Sequence, residues 1–356
     1  MKFYYRFAIF LFFFGVPISW LNLGLAQIQP QSVIPPVVQS VTGQGLAIAD
    51  DNSCWVQYSR SFYEWRCANR YLPQSAQALA LSIGVIEGRR SVLVIDSGAT
   101  TKVGFHAATA VEARFPGRAI YVLNTQSKAP HFLGNYGFLQ VLSGDLRQVS
   151  AFKGRFVAGK VIADEIAAKC PACIQSVVSL TGQEEIKPNE IVIPGFTLSR
   201  DKGNLGLIDS EWVNWRYEIL PQITSSQTLF IRNTEENVYW LGDAVQKAVI
   251  PDLSGSSTIN RLNYLVGLRS ALQSGDIFVG SYGLVSSTWL NENISYLTQL
   301  QVSVFRGIEA GLSETELLRL LSQSIRAQKL NVNAQDIQRH QRNVIQIINE
   351  LRRFTR

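Results

Sequence analysis

The chain has 356 residues, 46% of them hydrophobic and 17% charged, with 33 Lys and Arg against 27 Asp and Glu. Such length and apolar content exclude a single small domain and a globally disordered chain, and suit one large α/β domain with attachments. Lys2 and Arg6 belong to the leader described next, so 31 basic residues face 27 acidic ones after it, and residues 305–356, with nine basic and five acidic residues, carry all of that excess. A neutral body argues against nucleic acid as the main partner, while the basic tail is read either as a solvated helix face or as a weakly basic surface toward an acidic partner or lipid headgroups.

Residues 1–26 read as a secretory signal peptide: a basic start, the apolar "FAIFLFFFGV", and "GLA" before Gln27. The alternative is a retained membrane anchor, against which Pro17 and Asn22 interrupt the apolar run. Export, to a periplasm, is therefore the expected location, with membrane association only if the signal is retained. Residues 27–45, rich in Pro, Gln, Ser and Gly, read as a linker. Residues 46–82 form an aromatic extension bearing Cys54 and Cys67. With Cys170 and Cys173 these make four cysteines. In an exported chain an even count favours disulfides, and two local bridges are the simplest of three pairings.

From residue 83 the pattern becomes regular. "SIGVIEGRRSVLVIDSG" gives two strands around the Glu87–Arg90 turn, the second ending in Asp96-Ser97-Gly98. A helix follows over "GFHAATAVEARF", closed by Pro116-Gly117, and then the strand "AIYVLN". Residues 145–180 read as helical, with Pro171 as an interruption. Strands are predicted at "EIVIPGFTLS", "EWVNWRYEIL", "QTLFIRN", "NVYWLGDAV" and "DIFVGSYG", with a helix over "STINRLNYLVGLRSALQSG" before the last of them. Trp212, Trp215 and Tyr217 are expected to pack one sheet face. Helices close the chain: Ser286 to about Ala310, one opened by the Ser313–Glu316 capping box, and one from about Ala334 with Ile337, Val344, Ile348 and Leu351 on one face. The domain reading is a main body over 83–304 and C-terminal helices over 305–356.

This succession resembles the metallo-β-lactamase fold, an αββα sandwich, here with a C-terminal helical extension. The matches are "VLVIDSG", "YVLNT" followed by Gly134-Asn135, "VYWLGDAV" and "FVGSYGLV". "CPAC", "PDLSGS", "RGIEAG" and "RHQRNVIQIINEL" resemble the branch of exported, quinoprotein-relay-associated zinc hydrolases. The resemblance implies a zinc hydrolase, but the ligand positions are altered. Where active members carry N-T-H-x-H-x-D-H, this chain has Asn124-Thr125-Gln126-Ser127-Lys128-Ala129-Pro130-His131. Thr224 stands near a further histidine position and Tyr282 at the last; Asp243 keeps the place of a bridging carboxylate.

The chain contains three histidines, His106, His131 and His340. A zinc site takes three or four nitrogen, sulfur or carboxylate ligands, and an ammonium such as that of Lys128 offers no lone pair. Zinc lowers the pKa of bound water from 15.7 to about 7, which Gln, Lys and Tyr do not replace. The expected reading is a pseudoenzyme, with zinc at most weakly held at the remnant positions His131 and Asp243. It would bind or assemble with a quinoprotein dehydrogenase or a small acidic ligand drawn to Lys128. The alternative is a hydrolase of altered or mononuclear chemistry in which His131, Asp243, Lys128 and Tyr282 converge. The plainer reading of His131 and Asp243 is that they anchor the loop.

Overall fold

The structure, a computed structural model, describes residues 54–143, 152, 155–181, 187, 190–221, 223, 226–246, 250–327 and 334–355. The leader, the linker and Thr224 lie outside them, as do the side chains of Cys170 and Pro171. Among the described residues the strands form two sheets. The first runs in the order β1 (Trp55–Gln57), β2 (Phe62–Trp65), β3 (Ile83–Glu87), β4 (Ser91–Ile95), β5 (Ala119–Asn124), β6 (Phe156–Gly159) and β7 (Phe196–Leu198). The second contains β8 (Lys202–Asn204), β9 (Trp215–Leu220), β10 (Thr228–Asn233), β11 (Val238–Gly242), β12 (Ile277–Gly280) and β13 (Gly283–Leu284), also in sequence order from edge to edge.

Strands β4 to β7 are parallel neighbours, and β4 is buried along its whole length. A parallel strand covered on both faces has no solvent side, hence the unbroken "SVLVI". Successive side chains point to opposite faces. Leu93, Ile95 and Leu123 thus meet Trp215, Ile231 and Trp240 of the second sheet in a shared core. Val92, Val94 and Val122 face the other way, onto Val103, Ala107 and Val111 of helix α1 (Thr101–Arg114) and Phe138 of the helix at Asn135–Ser143. The outer face of the second sheet, through Phe230, Leu241 and Phe278, is covered by α5 (Thr258–Ala271) and α6 (Ser287–Glu309). The order is helix, sheet, sheet, helix, as the sequence predicts. With α2 (Ala129–Phe132), α3 (Asn135–Ser143) and α4 (Lys160–Thr181) numbered between them, α7 (Glu314–Ala327) and α8 (Ala334–Thr355) follow. These last two pack on α6 through Val304, Leu317, Val344 and Ile348.

Helix starts follow their caps. Thr100 Oγ1 accepts from Val103 N at 3.2 Å, and Ser313 and Glu316 form the reciprocal box, with Ser313 N donating to Glu316 Oε2 at 2.8 Å. Several expectations need correction. The stretch read as helical from 145 contains β6, a four-residue buried strand directly ahead of α4. Helix α4 continues unbroken through Pro171, and Cys173 carries a free thiol. The expected second bridge is therefore not formed, whereas Cys54–Cys67 is, with Cα atoms 5.2 Å apart. Trp212 lies on a short 3-10 turn (Ser210–Trp212) rather than on the strand; Trp215 and Tyr217 alternate along β9 and are buried, as expected. Among the described residues no helix is long and apolar enough to cross a membrane.

Candidate functional site

The candidate residues gather where strand ends from both sheets meet. Asp96 follows β4, Asn124 ends β5, Gly242-Asp243 ends β11, and Ser281-Tyr282 follows β12. Carboxyl ends of parallel strands are the usual place for chemistry in α/β folds.

Asp96 adopts a left-handed backbone with φ of 64°, tolerated by a short polar side chain. Its Oδ1 accepts from Thr125 N at 2.8 Å, and Thr125 Oγ1 donates to Oδ2 at 2.8 Å. Side-chain amides hold the frame of the 124–135 loop. Asn124 Nδ2 donates to the His131 carbonyl at 2.8 Å, Asn135 Nδ2 donates back to Asn124 Oδ1 at 2.8 Å, and both asparagines are buried. Gly134 is required between them, since a Cβ there would lie 2.0 Å from the Ser97 carbonyl oxygen. Pro130 sits in the first turn of α2, where its missing N–H costs nothing. Gln126 is fully buried; a Cβ on Gly242 would stand 3.4 Å from its Nε2.

His131 is 0% exposed and bridges two carboxylates. Its Nδ1 lies 2.8 Å from Asp96 Oδ2 and its Nε2 lies 3.2 Å from Asp243 Oδ2. Only the imidazolium can donate from both nitrogens. Burial alone would lower the pKa of His131; the charges of Asp96 and Asp243 more than reverse this and raise it to about 9. Burial would likewise push the Asp243 carboxyl up, and His131 and Lys128 together hold it well below the usual carboxylate range. Lys128 Nζ stands 3.5 Å from Asp243 Oδ2, its side chain 30% exposed. Asp96, His131, Asp243 and Lys128 thus form a chain of alternating charge that sums to zero.

The three candidates His131, Asp243 and Lys128 meet; Tyr282 does not join them. Among the described residues no hydrogen bond links it to the other three, and it is 43% exposed. Its phenol is pushed up from the ordinary tyrosine value, first by desolvation and then by the nearby Asp243 carboxylate.

Sequence reasoning missed Arg261. It is fully buried on α5, and its guanidinium donates to the carbonyls of Asp243 at 3.1 Å, Ala244 at 3.0 Å and Asp252 at 2.8 Å. Burial lowers its pKa to about 10. Five donors in a rigid fork suit this clamp on the loop after Asp243. An arginine in "STINRLNYL" has no local signal for the role, because its partners are backbone atoms 9 to 18 residues earlier.

This donor set does not fit a zinc ion. Both ring nitrogens of His131 already face carboxylates, and Lys128 brings a positive charge to the same Asp243 Oδ2 that His131 engages. Among the described residues no three His, Cys, Asp or Glu side chains converge on one point suitable for a metal. Asp243 Oδ1 has no hydrogen-bond partner among the described residues, but one carboxylate oxygen is far short of a tetrahedral shell.

No protein-family profile matches the chain, and no curated protein matches it. Solved structures similar to it include a metallo-β-lactamase from Pontibacter korlensis, at TM-score 0.47 and 11% identity over 68% of this chain and 98% of that one. A second, a metallo-β-lactamase from Hirschia baltica, gives 0.48 and 8% over 68% and 96%. The layering described above stands on strand pairing and core packing alone.

Proposed function

We propose that this chain is an exported, non-catalytic protein of metallo-β-lactamase layering that acts in binding or assembly, its partner belonging to a quinoprotein dehydrogenase system. The single observation that carries the non-catalytic reading is the double engagement of His131. A general base needs one free ring nitrogen facing a substrate, and a metal ligand needs a free lone pair; this imidazole has neither. Two internal cations, the His131 imidazolium and the Lys128 ammonium, balance the two carboxylates in the pocket. The cluster therefore supports the meeting of the two sheets. The disulfide in the extension supports an oxidising, exported location. Lys128 spends its charge on Asp243, which favours a protein partner over a small acidic ligand at this point.

The test is metal content by elemental mass spectrometry after exposure of the mature protein to zinc and then to iron, with thermal unfolding in chelator beside it. The expected outcome is substoichiometric metal and an unchanged midpoint. Near-stoichiometric metal that disappears in a His131→Ala, Asp243→Ala double variant would overturn the proposal and restore the hydrolase of altered chemistry. Capture of a quinoprotein dehydrogenase by the full mature chain tests the partner separately.

A further inference from the structure

Apart from the ionic cluster, the molecule carries a cleft of about 630 Å3 between the 54–82 segment and the β12–β13 turn. That volume falls within the range of about 300–1,000 Å3 typical of small-molecule sites. One wall is the β1–β2 hairpin with the 3-10 turn at Ala68–Tyr71; the other is Tyr282, Gly283, Leu284 and Trp289. Ser82 N donates to the Ser281 carbonyl at 2.8 Å and ties the walls together.

At its base lies Glu64, a carboxylate only 1% exposed on a strand otherwise given to core residues. Oε2 accepts from Tyr58 Oη at 2.5 Å and lies 3.7 Å from Arg66 Nη2. Oε1 faces Gly283, where a Cβ would stand 3.2 Å from it and where φ of +93° also demands glycine. Gly283 therefore keeps the approach to Oε1 clear of any side chain. Around this acceptor, Asn69 and Gln77 add amides, and Tyr58, Tyr282 and Trp289 add aromatic surface.

Each simple ligand class meets an objection except one. A cation would face Arg66, whose guanidinium already neutralises Glu64. An anion would face the buried carboxylate. A purely apolar guest would strip water from Glu64 and the amides without returning hydrogen bonds. A neutral ring with several hydroxyls and an apolar face satisfies all of these groups. Its hydroxyls donate to Glu64, accept from Arg66 and Asn69, and its C–H face lies against the aromatic wall. We propose that this cleft is a binding site for a saccharide, with Glu64 as the buried acceptor and Tyr282 and Trp289 as the stacking surface. The proposal uses residues outside the Asp96–His131–Asp243–Lys128 cluster, so it stands or falls independently of the non-catalytic reading.

The experiment is isothermal titration calorimetry of the full mature chain against maltotriose, cellotriose and diacetylchitobiose, with tetramethylammonium chloride and sodium acetate as charged probes. At least one saccharide is expected to bind and both charged probes to be inert. Glu64→Gln and Asn69→Ala are each expected to weaken binding about tenfold, the equivalent of one hydrogen bond. Tyr282 and Asn69 are exposed, so Tyr282→Ala and Asn69→Ala test the site even if the Glu64 variant fails to fold. Failure of all three saccharides to bind, binding of tetramethylammonium or acetate in their place, or saccharide binding unchanged in both exposed-residue variants would overturn the assignment.

Discussion

Two histidines of this chain are buried to nearly the same degree, yet one is charged and the other neutral. His131 is 0% exposed and His340 is 3% exposed. His131 lies between the carboxylates of Asp96 and Asp243, and its pKa is driven up to about 9. His340, on α8, has Nδ1 3.0 Å from Tyr296 Oη, and Asn343 Nδ2 donates to that same oxygen at 2.9 Å. With that oxygen accepting from Asn343, the phenol hydrogen is available to the imidazole, whose Nδ1 accepts it in the neutral form. With no carboxylate to offset desolvation, the pKa of His340 falls to about 4. Burial sets the penalty for charge, but the partners decide whether the penalty is met.

The largest break in this comparison is His131→Ala. It leaves Asp96 without its cationic partner and Asp243 paired with the partly exposed Lys128. Removing one partner of a buried ionic pair costs about 3–5 kcal/mol. For a chain of this size the midpoint of thermal unfolding is expected to drop by roughly 10 °C. If calorimetry finds a change as small as that of an exposed-residue substitution, the cluster does not hold the strand ends together.

Next is acid sensitivity from His340. Its folded pKa lies below the unfolded value of 6.5, so its contribution to stability is present in full above 6.5 and is lost as pH falls toward 4. The loss amounts to about 3 kcal/mol across that window. His131 works in the opposite direction: its contribution is complete below 6.5 and is lost as pH rises through about 9. Urea unfolding against pH should show both limbs. His340→Gln is expected to flatten the acid limb alone, and an unchanged acid limb in that variant would refute the neutral assignment.

Much of the layer order was legible because it rests on local patterns. The all-apolar "SVLVI", the alternation in "WRYEIL" and the Ser313 box each report burial or capping through neighbouring residues. Strand β6 escaped because four apolar residues abutting a helix carry no period of their own. The site divides in the same way. His131 with Asp243 was readable as a pair of remnants that anchor the loop. Their geometry was not, since a sequence does not say that one imidazole spends both nitrogens on two carboxylates 147 positions apart in the chain (Asp96 and Asp243). Arg261 was invisible because its partners are backbone carbonyls, and Glu64 because no local pattern says that its carboxylate is buried against Tyr58, Arg66 and Gly283.

The smallest effect sharpens the comparison most, because Lys128 is the one member of the charged cluster that reaches solvent. Its 30% exposure and 3.5 Å separation from Asp243 place it nearer the surface-pair regime than the buried one. Lys128→Met is therefore expected to cost about 1 kcal/mol, a loss that shrinks with added salt as exposed pairs are screened. Histidine 131 should respond in the other sense. With the competing ammonium gone, Asp243 interacts with the imidazolium alone, and the pKa of His131 should rise further above its wild-type value. Ring nitrogen NMR across the alkaline limb reads this directly. A downward movement would mean that Lys128 supports the imidazolium rather than competing for its carboxylate, and the alternating-charge account of the cluster would fail.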